Sequence, residues 1–387
     1  MERRAFIRVV GGGVVLAATA GVAGCSQDMP AEAIAAWQGP GAETDLRRWV
    51  LSYAILAPHA HNLQSWLVDL SKPEEITLYC DRQRLLPDTD PYSRQIMVSH
   101  GTFLELLDLA ARERGLRAEI ELFPEGAFDD KTIDDRPVAR IRLVPDAAVT
   151  KDPLFAQILK RHTNRNVYDP KQSIQAQAWE ALAAAAQPYP VKFGYVSADR
   201  PEALAQHRAI ASEAWKIELI TPRTILESYH VLRVGAREIA EHRDGIAVTS
   251  PMLVALTRLG LFDRSKAPAP TDSAITSQIS EFDAKLASSN AFLWLISDDN
   301  TRTTQIATGR AYVRVQLAAT AHGVVMHPLS QALQEYPEQA GPYAQIHALL
   351  GAERPNQTVQ MWLRVGVAAP VGPAPRRGLE AQIRKVG

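Results

Sequence analysis

Hydrophobic positions spaced three and four residues apart predict helices along most of the chain. The first helical pattern, residues 46–57, ends at Pro58, because a proline disfavours helical backbone in the residue before it. The clearest pattern runs from Gln95 to Arg114 and stops at Gly115, a good C-terminal cap. The remaining helical patterns cover residues 154–159, 202–219, 224–242 and 301–322, with a further one around Trp179 and Leu182.

Alternation of apolar and polar positions predicts strands between these helices. Residues 64–70 and 76–80 both alternate and are separated by a short polar segment, which predicts a hairpin. Because helices and strands are interleaved, the first half is predicted to be α+β. Further alternating segments cover residues 118–122, 139–143, 191–196, 292–296 and 359–367.

The periodic pattern weakens in three places, which predict linkers or boundaries. Residues 26–44 contain several prolines and glycines and are expected to form a loose linker. A second unit is predicted to start near Lys151. Residues 245–290 are less regular, and the sequence APAP at 267–270 indicates a surface excursion.

Composition places the chain among folded globular proteins. Of its 387 residues, 46% are hydrophobic and 22% are charged, which excludes a disordered or fibrous chain. The 42 basic and 43 acidic residues give a net charge of −1, and no basic block is present, which argues against a nucleic-acid partner. Two cysteines, Cys25 and Cys80, are too few for a disulfide framework or a cysteine-based metal cage.

The N-terminus is typical of an export signal. The sequence RRAFIR at residues 3–8 resembles the twin-arginine translocation signature, and the uncharged stretch 9–23 is too short to cross a bilayer comfortably. The stretch ends in VAGC, which resembles a lipoprotein box with Cys25 as the lipidated residue. The alternative is a chance arginine pair before an ordinary Sec signal.

Residues 1–25 are therefore expected to direct the chain to the twin-arginine export machinery. The protein would lie on the periplasmic or cell-surface side, with membrane contact only through a lipid anchor at Cys25. Because this route exports folded proteins, often with a cofactor already inserted, it favours a non-covalent redox cofactor.

Three segments could carry chemistry, and the first is PHAHNLQSW at residues 58–66. A helix stopped by proline and followed by polar residues leaves backbone donors and an Asn amide, which suit the edge of a planar heterocycle. Two alternatives remain open. His59 and His61 could be a metal pair that needs a third ligand, or the segment could be an ordinary polar loop.

The second segment is RHTNR at residues 161–165, in which two arginines flank a hydroxyl group. Such an arrangement can bind a phosphate dianion, although a solvated helix end would have the same composition. The third segment runs from Gly309 to Ser330. It predicts a closely packed helix, a turn at Gly323 and a short strand whose end could offer backbone N–H groups to a ring nitrogen.

These segments together resemble the nitroreductase family. The loop at 58–66 is similar to the family's P-S-x-x-N-x-Q-P-W, and residues 161–165 are similar to its phosphate element R-[RH]-[ST]-x-[RK]. Residues 309–329 resemble its long helix and the turn G-[LV]-x-x-x-P-[IL], and Arg376 and Arg377 resemble its C-terminal basic pair. The phosphate element follows the loop here, whereas it precedes the loop in ordinary members. This order resembles the Acg-like branch, in which one chain imitates a two-subunit flavoprotein.

The resemblance implies an α+β nitroreductase-like fold in which two related halves, residues 45–150 and 151–387, form an intramolecular pseudo-dimer. Such a protein would be a monomer. Residues 200–290 have no match in compact family members and are expected to form a helical insertion or lid. The loop departs from the family at His59, where Ser is common, and at Ser65, where Pro is common.

One FMN per chain is implied at the junction of the halves. Its phosphate would be bound by basic and hydroxyl side chains and by one or both residues of the C-terminal pair: Arg161, His162, Thr163, Arg165, Arg376 and Arg377. Its isoalloxazine ring would be lined by the loop residues Pro58, His59, His61 and Asn62. The turn residues Pro328, Leu329 and Ser330 would approach N5, and Lys216 is a candidate for the group near N1.

The implied activity is two-electron hydride transfer through flavin N5 to a small-molecule acceptor, without a catalytic side chain. The electron donor would be NAD(P)H or a quinol. One alternative is a non-catalytic protein that binds or sequesters FMN. Another is a metal protein that uses His59, His61 and either His322 or His327.

Overall fold

The structure is a computed structural model, and it describes residues 29–384. The predicted export signal and Cys25 lie outside the described residues. Within residues 29–384, none of the helices has both the length and the apolar character that a membrane span requires.

The described chain contains both long helices and short strands. The helices are α1 Ala31–Ile34, α2 Leu46–Ala54, α3 Arg94–Glu113, α4 Ala176–Ala186, α5 Pro201–Ile220, α6 Pro222–His230, α7 Gly235–His242, α8 Pro251–Arg258, α9 Ser273–Ala287, α10 Arg302–Ala321 and α11 Ala340–Leu349. The strands are β1 Trp66–Asp69, β2 Glu75–Cys80, β3 Leu116–Leu122, β4 Ala139–Pro145, β5 Lys192–Val196, β6 Leu232–Val234, β7 Ile246–Val248, β8 Ala291–Ser297, β9 Val325–Pro328 and β10 Thr358–Gly366.

Two four-stranded antiparallel sheets have the same topology. Their strand orders are β1-β2-β4-β3 and β5-β8-β10-β9. Along the chain each half runs helix, strand, strand, long helix, strand, strand. In the second half, α5 to α9 and the small parallel sheet β6-β7 are inserted between β5 and β8, and α11 is inserted between β9 and β10. The α+β class and the two related halves are thereby confirmed, and the hairpin β1-β2 forms as predicted.

The long helices α3 and α10 cross at a pair of glycines. Gly101 is the eighth residue of α3, and Gly309 is the eighth residue of α10. A Cβ on Gly101 would lie 2.0 Å from the carbonyl oxygen of Ile306, and a Cβ on Gly309 would lie 1.8 Å from that of Val98. Only glycine allows the two backbones to approach this closely. The crossing joins the two halves along their longest helices.

Buried hydrophobic side chains of α3 and α10 build the core between the sheets. Phe103, Leu104 and Leu107 of α3 are completely buried. Their core extends to Val313 and Leu317, so the second half contributes side chains to the core of the first. Each such side chain contributes about 1.5–3 kcal/mol on burial. A shared core of this kind holds the site segments of the two halves in register.

The structure differs from the sequence prediction at residues 224–242, where we predicted one long helix. The segment is divided into α6, β6 and α7. β6 pairs in parallel with β7, which buries Leu232 and Val234, and the turn into α7 occurs at Gly235 with φ +80°. Tertiary pairing of β6 therefore overrides the helical periodicity.

The N-terminal segment also differs from the prediction, which made residues 26–44 a loose linker. Helix α1 is followed directly by a 3₁₀ helix, Ala35–Gln38. Ala33 is completely buried and Trp37 is 9% exposed, so these residues belong to the folded protein. The predicted helix at residues 154–159 is a 3₁₀ helix, Pro153–Lys160.

Candidate functional site

The loop between α2 and β1 has backbone dihedral angles that few non-glycine residues adopt. His61, Asn62 and Gln64 have φ values of 47°, 57° and 57°, in the left-handed region that favours glycine. Hydrogen bonds hold the loop in place: Pro58 accepts at its carbonyl from the Thr102 hydroxyl of α3 at 2.7 Å. Strained, non-glycine positions of this kind cluster at functional sites.

His59 stabilises this loop through both ring nitrogens. Nε2 accepts from the Ser65 backbone N–H at 3.0 Å, so Nδ1 carries the proton and donates to the Ala60 carbonyl at 2.7 Å. Burial lowers the pKa of His59 well below its usual value, which keeps the ring neutral. Since both nitrogens are occupied, the proposed metal pair of His59 and His61 does not form. Among the described residues, no group of three or more potential ligands could hold a metal ion.

His61 has the opposite character. Its Nδ1 is buried without a hydrogen-bond partner in the described chain. Burial, followed by the charge of Arg165, lowers its pKa to about 4. His61 is therefore a neutral ring with a free nitrogen, and it faces the phosphate element of the other half.

Asn62 and Gln64 connect the loop to two distant segments. The Asn62 amide donates to the Pro375 carbonyl at 3.0 Å, and its oxygen accepts from Arg376. Gln64 is completely buried, accepts from the Arg377 backbone N–H at 2.9 Å and donates to the Arg243 carbonyl at 3.0 Å. The loop, the insertion and the C-terminal segment thus meet at one place.

Arg161 places a buried positive charge beside this loop. It is 2% exposed and donates to the Leu56 carbonyl at 2.9 Å and to Gln316 Oε1 at 3.1 Å. Gln316 also donates to the Thr163 hydroxyl at 3.4 Å. The Nε of Arg161 has no partner among the described residues, and burial lowers the pKa of Arg161 to about 10. The ion pairs of the described residues do not include Arg161.

Arg376 brings a second buried guanidinium to the same position. It donates to the carbonyls of Leu56 and Ala57 at 3.3 Å and 3.1 Å, and its Nε has no partner in the described chain. Burial, followed by repulsion from Arg161, lowers its pKa well below the usual value. Two buried cations without a carboxylate favour an anionic ligand.

Arg377 belongs to a different environment from Arg376. Its guanidinium lies 4.0 Å from Asp81, and its Nη2 donates to the Gln64 carbonyl at 3.3 Å. The sequence prediction assigned one or both of the C-terminal arginines to the phosphate. In the structure, only Arg376 faces Arg161.

Arg165 lies with a second group of basic side chains. The Arg165 side chain is exposed, while desolvation of its guanidinium group lowers its pKa. Besides burial, its charge contributes to lowering the pKa values of four neighbours: His61, Lys285, His327 and Arg364. Arg364 donates from Nε to His327 Nδ1 at 2.9 Å, so the proton of neutral His327 is on Nε2. Tyr312 lies between Arg165 and Arg161, and its hydroxyl has no partner among the described residues.

The turn after β9 has fewer backbone N–H groups available for a ligand than the sequence predicted. Leu329 is 2% exposed, and its backbone N–H donates to the Trp362 carbonyl at 2.8 Å. Pro328 has no N–H and pairs with Leu363 in the sheet. Ser330 is therefore the member of this group whose amide could face a ring nitrogen. Lys216 is half exposed on α5 and lies 3.7 Å from Glu213 of the same helix, so the structure pairs it with a carboxylate and not with the basic site.

His162, which the sequence placed alongside the phosphate, packs against Trp37 with ring centroids 5.0 Å apart, and burial lowers its pKa to about 4. Gln64 belongs to the recognised loop motif, but no role was predicted for it. The site residues that were not predicted come from elements far apart in the chain, namely Lys285, Tyr312, Gln316 and Arg364. Only the residues of contiguous motifs could be recognised from the sequence.

A surface cleft of about 310 Å³ lies at the N-terminal ends of α3 and α10. Its lining includes Arg94, which is paired with Glu335 at 3.1 Å. Because the charges there are matched, we assign the candidate site to the unpaired cations of Arg161 and Arg376.

Comparisons with known proteins found a relative in sequence. No family model matches the chain. The chain is 28% identical to a Mycobacterium tuberculosis protein provisionally named NAD(P)H nitroreductase, in strains CDC 1551 / Oshkosh and H37Rv. The match spans 350 residues, 88% of this chain and 91% of the relative.

Solved structures of nitroreductases also match parts of the chain. The FMN and NADPH-dependent nitroreductase NfnB from sphigopyxis sp. strain HMH is 18% identical, with a TM-score of 0.39, over 61% of this chain and 100% of its own. NfnB from Mycobacterium smegmatis in complex with NADPH is 18% identical, with a TM-score of 0.34, over 60% and 96% of the two chains. Over most of its length, the chain is thus similar in sequence to a protein named as a nitroreductase.

Proposed function

We propose that this chain is an FMN-binding oxidoreductase of the nitroreductase type. The observation that carries the proposal is the pair of buried, carboxylate-free cations, Arg161 and Arg376, beside a strained loop from the other half of the chain. The sequence similarity to a protein named NAD(P)H nitroreductase supports the same conclusion.

The residues present fit the FMN phosphate. Arg161 and Arg376 each have a buried Nε without a partner in the described chain, and guanidinium groups bind phosphate oxygens through charge-assisted hydrogen bonds. The Thr163 hydroxyl is held nearby through Gln316. These side chains, with His162 alongside, would bind the phosphate and orient the cofactor.

The second basic group fits the polar edge of the isoalloxazine. When bound, FMN supplies two-electron transfer through N5. Arg165 and the Nε2 proton of His327 would stabilise negative charge that accumulates on the ring edge during reduction. Pro58, His61 and Asn62 would exclude water from one side of the ring, and the Ser330 amide is the available donor for N5.

The finer parts of the proposal concern location and partners. We place the protein outside the cytoplasm, exported folded by the twin-arginine machinery and anchored through Cys25. A monomer suffices, because the two halves supply both sides of the site. NAD(P)H is the proposed electron donor, with a quinol as the alternative outside the cytoplasm.

One observation favours a second candidate, a protein that holds FMN without turnover. The insertion covers the loop: the Gly245 N–H donates to the Asn62 carbonyl at 3.1 Å, and Arg243 accepts from Gln64. Contacts of this kind restrict access to a ring bound beneath them.

The experiment starts with the chain from residue 26 onward, expressed in the cytoplasm and purified. A flavin absorbance spectrum with retained FMN supports the cofactor, and a colourless protein that does not take up added FMN refutes it. Rapid bleaching by NADPH then supports the enzyme, whereas bleaching only by dithionite supports the sequestering protein.

A further inference from the structure

The N-terminal segment crosses over the two buried cations of the site. Residues 31–38, here called the latch, are joined to the C-terminal segment by two hydrogen bonds. The Arg376 N–H donates to the Ala33 carbonyl at 2.8 Å, and the Trp37 indole N–H donates to the Ala374 carbonyl at 2.8 Å. The latch therefore closes over a part of the chain more than 300 residues away.

Trp37 contacts three of the four side chains assigned to the phosphate end. The Arg161 and Arg376 guanidinium carbons lie 5.6 Å and 5.3 Å from its ring centroid, and the His162 ring lies 5.0 Å away. A single indole thus orients two cations, because its π face attracts positive charge.

When the latch is closed, the positive charges beneath it are not neutralised by the described residues. Arg161 and Arg376 share one ring and are near enough for Arg161 to lower the pKa of Arg376, and neither has a carboxylate partner in the described chain. A phosphate dianion between the guanidinium groups would relieve their repulsion. Binding of the anion and closure of the latch should therefore favour each other.

We propose that the latch holds the phosphate of the cofactor in place, with Trp37 as its positioning residue. This inference rests on the proposed function for the identity of the ligand as FMN. Release of FMN requires Trp37 to leave Arg161 and Arg376. Riboflavin lacks the phosphate, so its release does not require the latch to open.

The test compares flavin release from Trp37→Leu, Trp37→Phe and the wild-type protein, followed by the fluorescence of the free flavin. We expect Trp37→Leu to release FMN roughly tenfold faster, the loss expected from removing two cation–π contacts, with riboflavin release unchanged. Trp37→Phe should fall between, since it keeps a ring but loses the hydrogen bond to Ala374. Trp49→Leu is the matched control, because Trp49 also packs under an arginine, Arg114 at 4.9 Å, away from the site.

Two results overturn the latch. One is wild-type FMN release from Trp37→Leu, and the other is equal acceleration of FMN and riboflavin release, which indicates general loosening of the fold.

A second measurement does not depend on flavin. Amide hydrogen exchange at residues 33–39 of the wild-type protein should slow on addition of inorganic phosphate. Unchanged exchange refutes the latch. A protein that binds no flavin but shows slowed exchange refutes the proposed function and leaves the latch standing.

Discussion

At Arg161 a positive charge lies inside the protein with only a backbone carbonyl and a side-chain amide as hydrogen-bond acceptors in the described chain. Its assignment came from a five-residue motif, and its burial could not be inferred from sequence. Trp37, in contrast, belongs to no motif that was recognised in the sequence. It stands in a segment rich in alanine, proline and glycine, and the carbonyl to which it donates lies 337 residues away. A residue whose partners are all distant gives no periodic signal.

Substitution of Arg161 by Ala should weaken FMN binding by about 2–3 kcal/mol, because a charge-assisted phosphate contact is lost. This corresponds to a roughly 30- to 150-fold rise in Kd, measured by titration of the apoprotein with FMN. Arg117→Ala is the control, since Arg117 is half exposed and pairs only with Glu119 and Asp146. Equal FMN affinity in the two variants would contradict the assignment.

Glu218 makes a pH dependence testable. It is 3% exposed, and burial raises its pKa to about 7, against the opposing hydrogen bond from Gln334 at 2.7 Å. The folded protein thus retains a proton that the unfolded chain releases, so this contribution to stability is complete below pH 4.5 and lost as the pH rises to 7.

Glu218→Gln should therefore stabilise the protein at pH 8 by about 1–3 kcal/mol and have little effect near pH 4.5. Urea unfolding at both pH values measures the difference. Glu213→Gln, on the exposed face of the same helix, should change neither value. A stabilisation by Glu218→Gln that is independent of pH would exclude the linkage.

Among the elements, those with an uninterrupted period were predicted well. Helix α3 and strands β1, β2 and β8 lie within a few residues of their predicted bounds. The division of segment 224–242 was not predicted, because the three-residue strand β6 forms through its pairing with β7, a distant segment. The pairing of α3 with α10 was also beyond sequence reasoning, since an isolated glycine in a helix is usually only a mild defect.

Gly101→Ala should destabilise the protein by more than about 3 kcal/mol, since the new Cβ would lie 2.0 Å from the Ile306 carbonyl oxygen and the helices must separate. Urea unfolding at equilibrium gives the difference. Gly341→Ala is the matched control: it also lies in a helix, α11, but a Cβ there meets nothing within 4 Å. The control should be neutral or stabilised by up to about 1 kcal/mol. Similar losses in both variants would show that the close crossing is not the cause.

For the whole molecule, the two halves have the same topology but differ chemically at corresponding positions. Tyr312 and Gln316, at positions 11 and 15 of α10, face the basic site. The corresponding residues of α3 are Leu104 and Asp108. The sequence order of the motifs indicated two halves, but it could not show which junction holds charge pairs and which holds unpaired cations.

A second junction between the halves, where Glu105 of α3 meets Arg310 and Arg314 of α10, is closed by ion pairs. Glu105 is 1% exposed and pairs with Arg310 at 2.7 Å and Arg314 at 2.9 Å. Arg314 also pairs with Asp152, and Arg310 pairs with Asp108. Since each cation there already has a carboxylate, an added phosphate would be repelled.

We therefore expect one FMN per chain, measured as the ratio of flavin absorbance to protein after saturation and removal of free FMN. Two FMN per chain would contradict the closure of the second junction. The Arg161→Ala variant should reduce the bound fraction at low FMN concentration rather than reveal a second site.

The side chains of α10 in the first half's core have a consequence for how the two halves depend on each other. Ile306, Val313 and Leu317 complete the core around α3, so the first half does not have a full interior of its own. Because both halves belong to one polypeptide, they need not be identical for the molecule to hold together. One junction holds charge pairs, while the other holds cations that have no carboxylate partner in the described chain. A symmetric dimer has to repeat the same residues at both of its junctions, whereas a single chain can make the two junctions different.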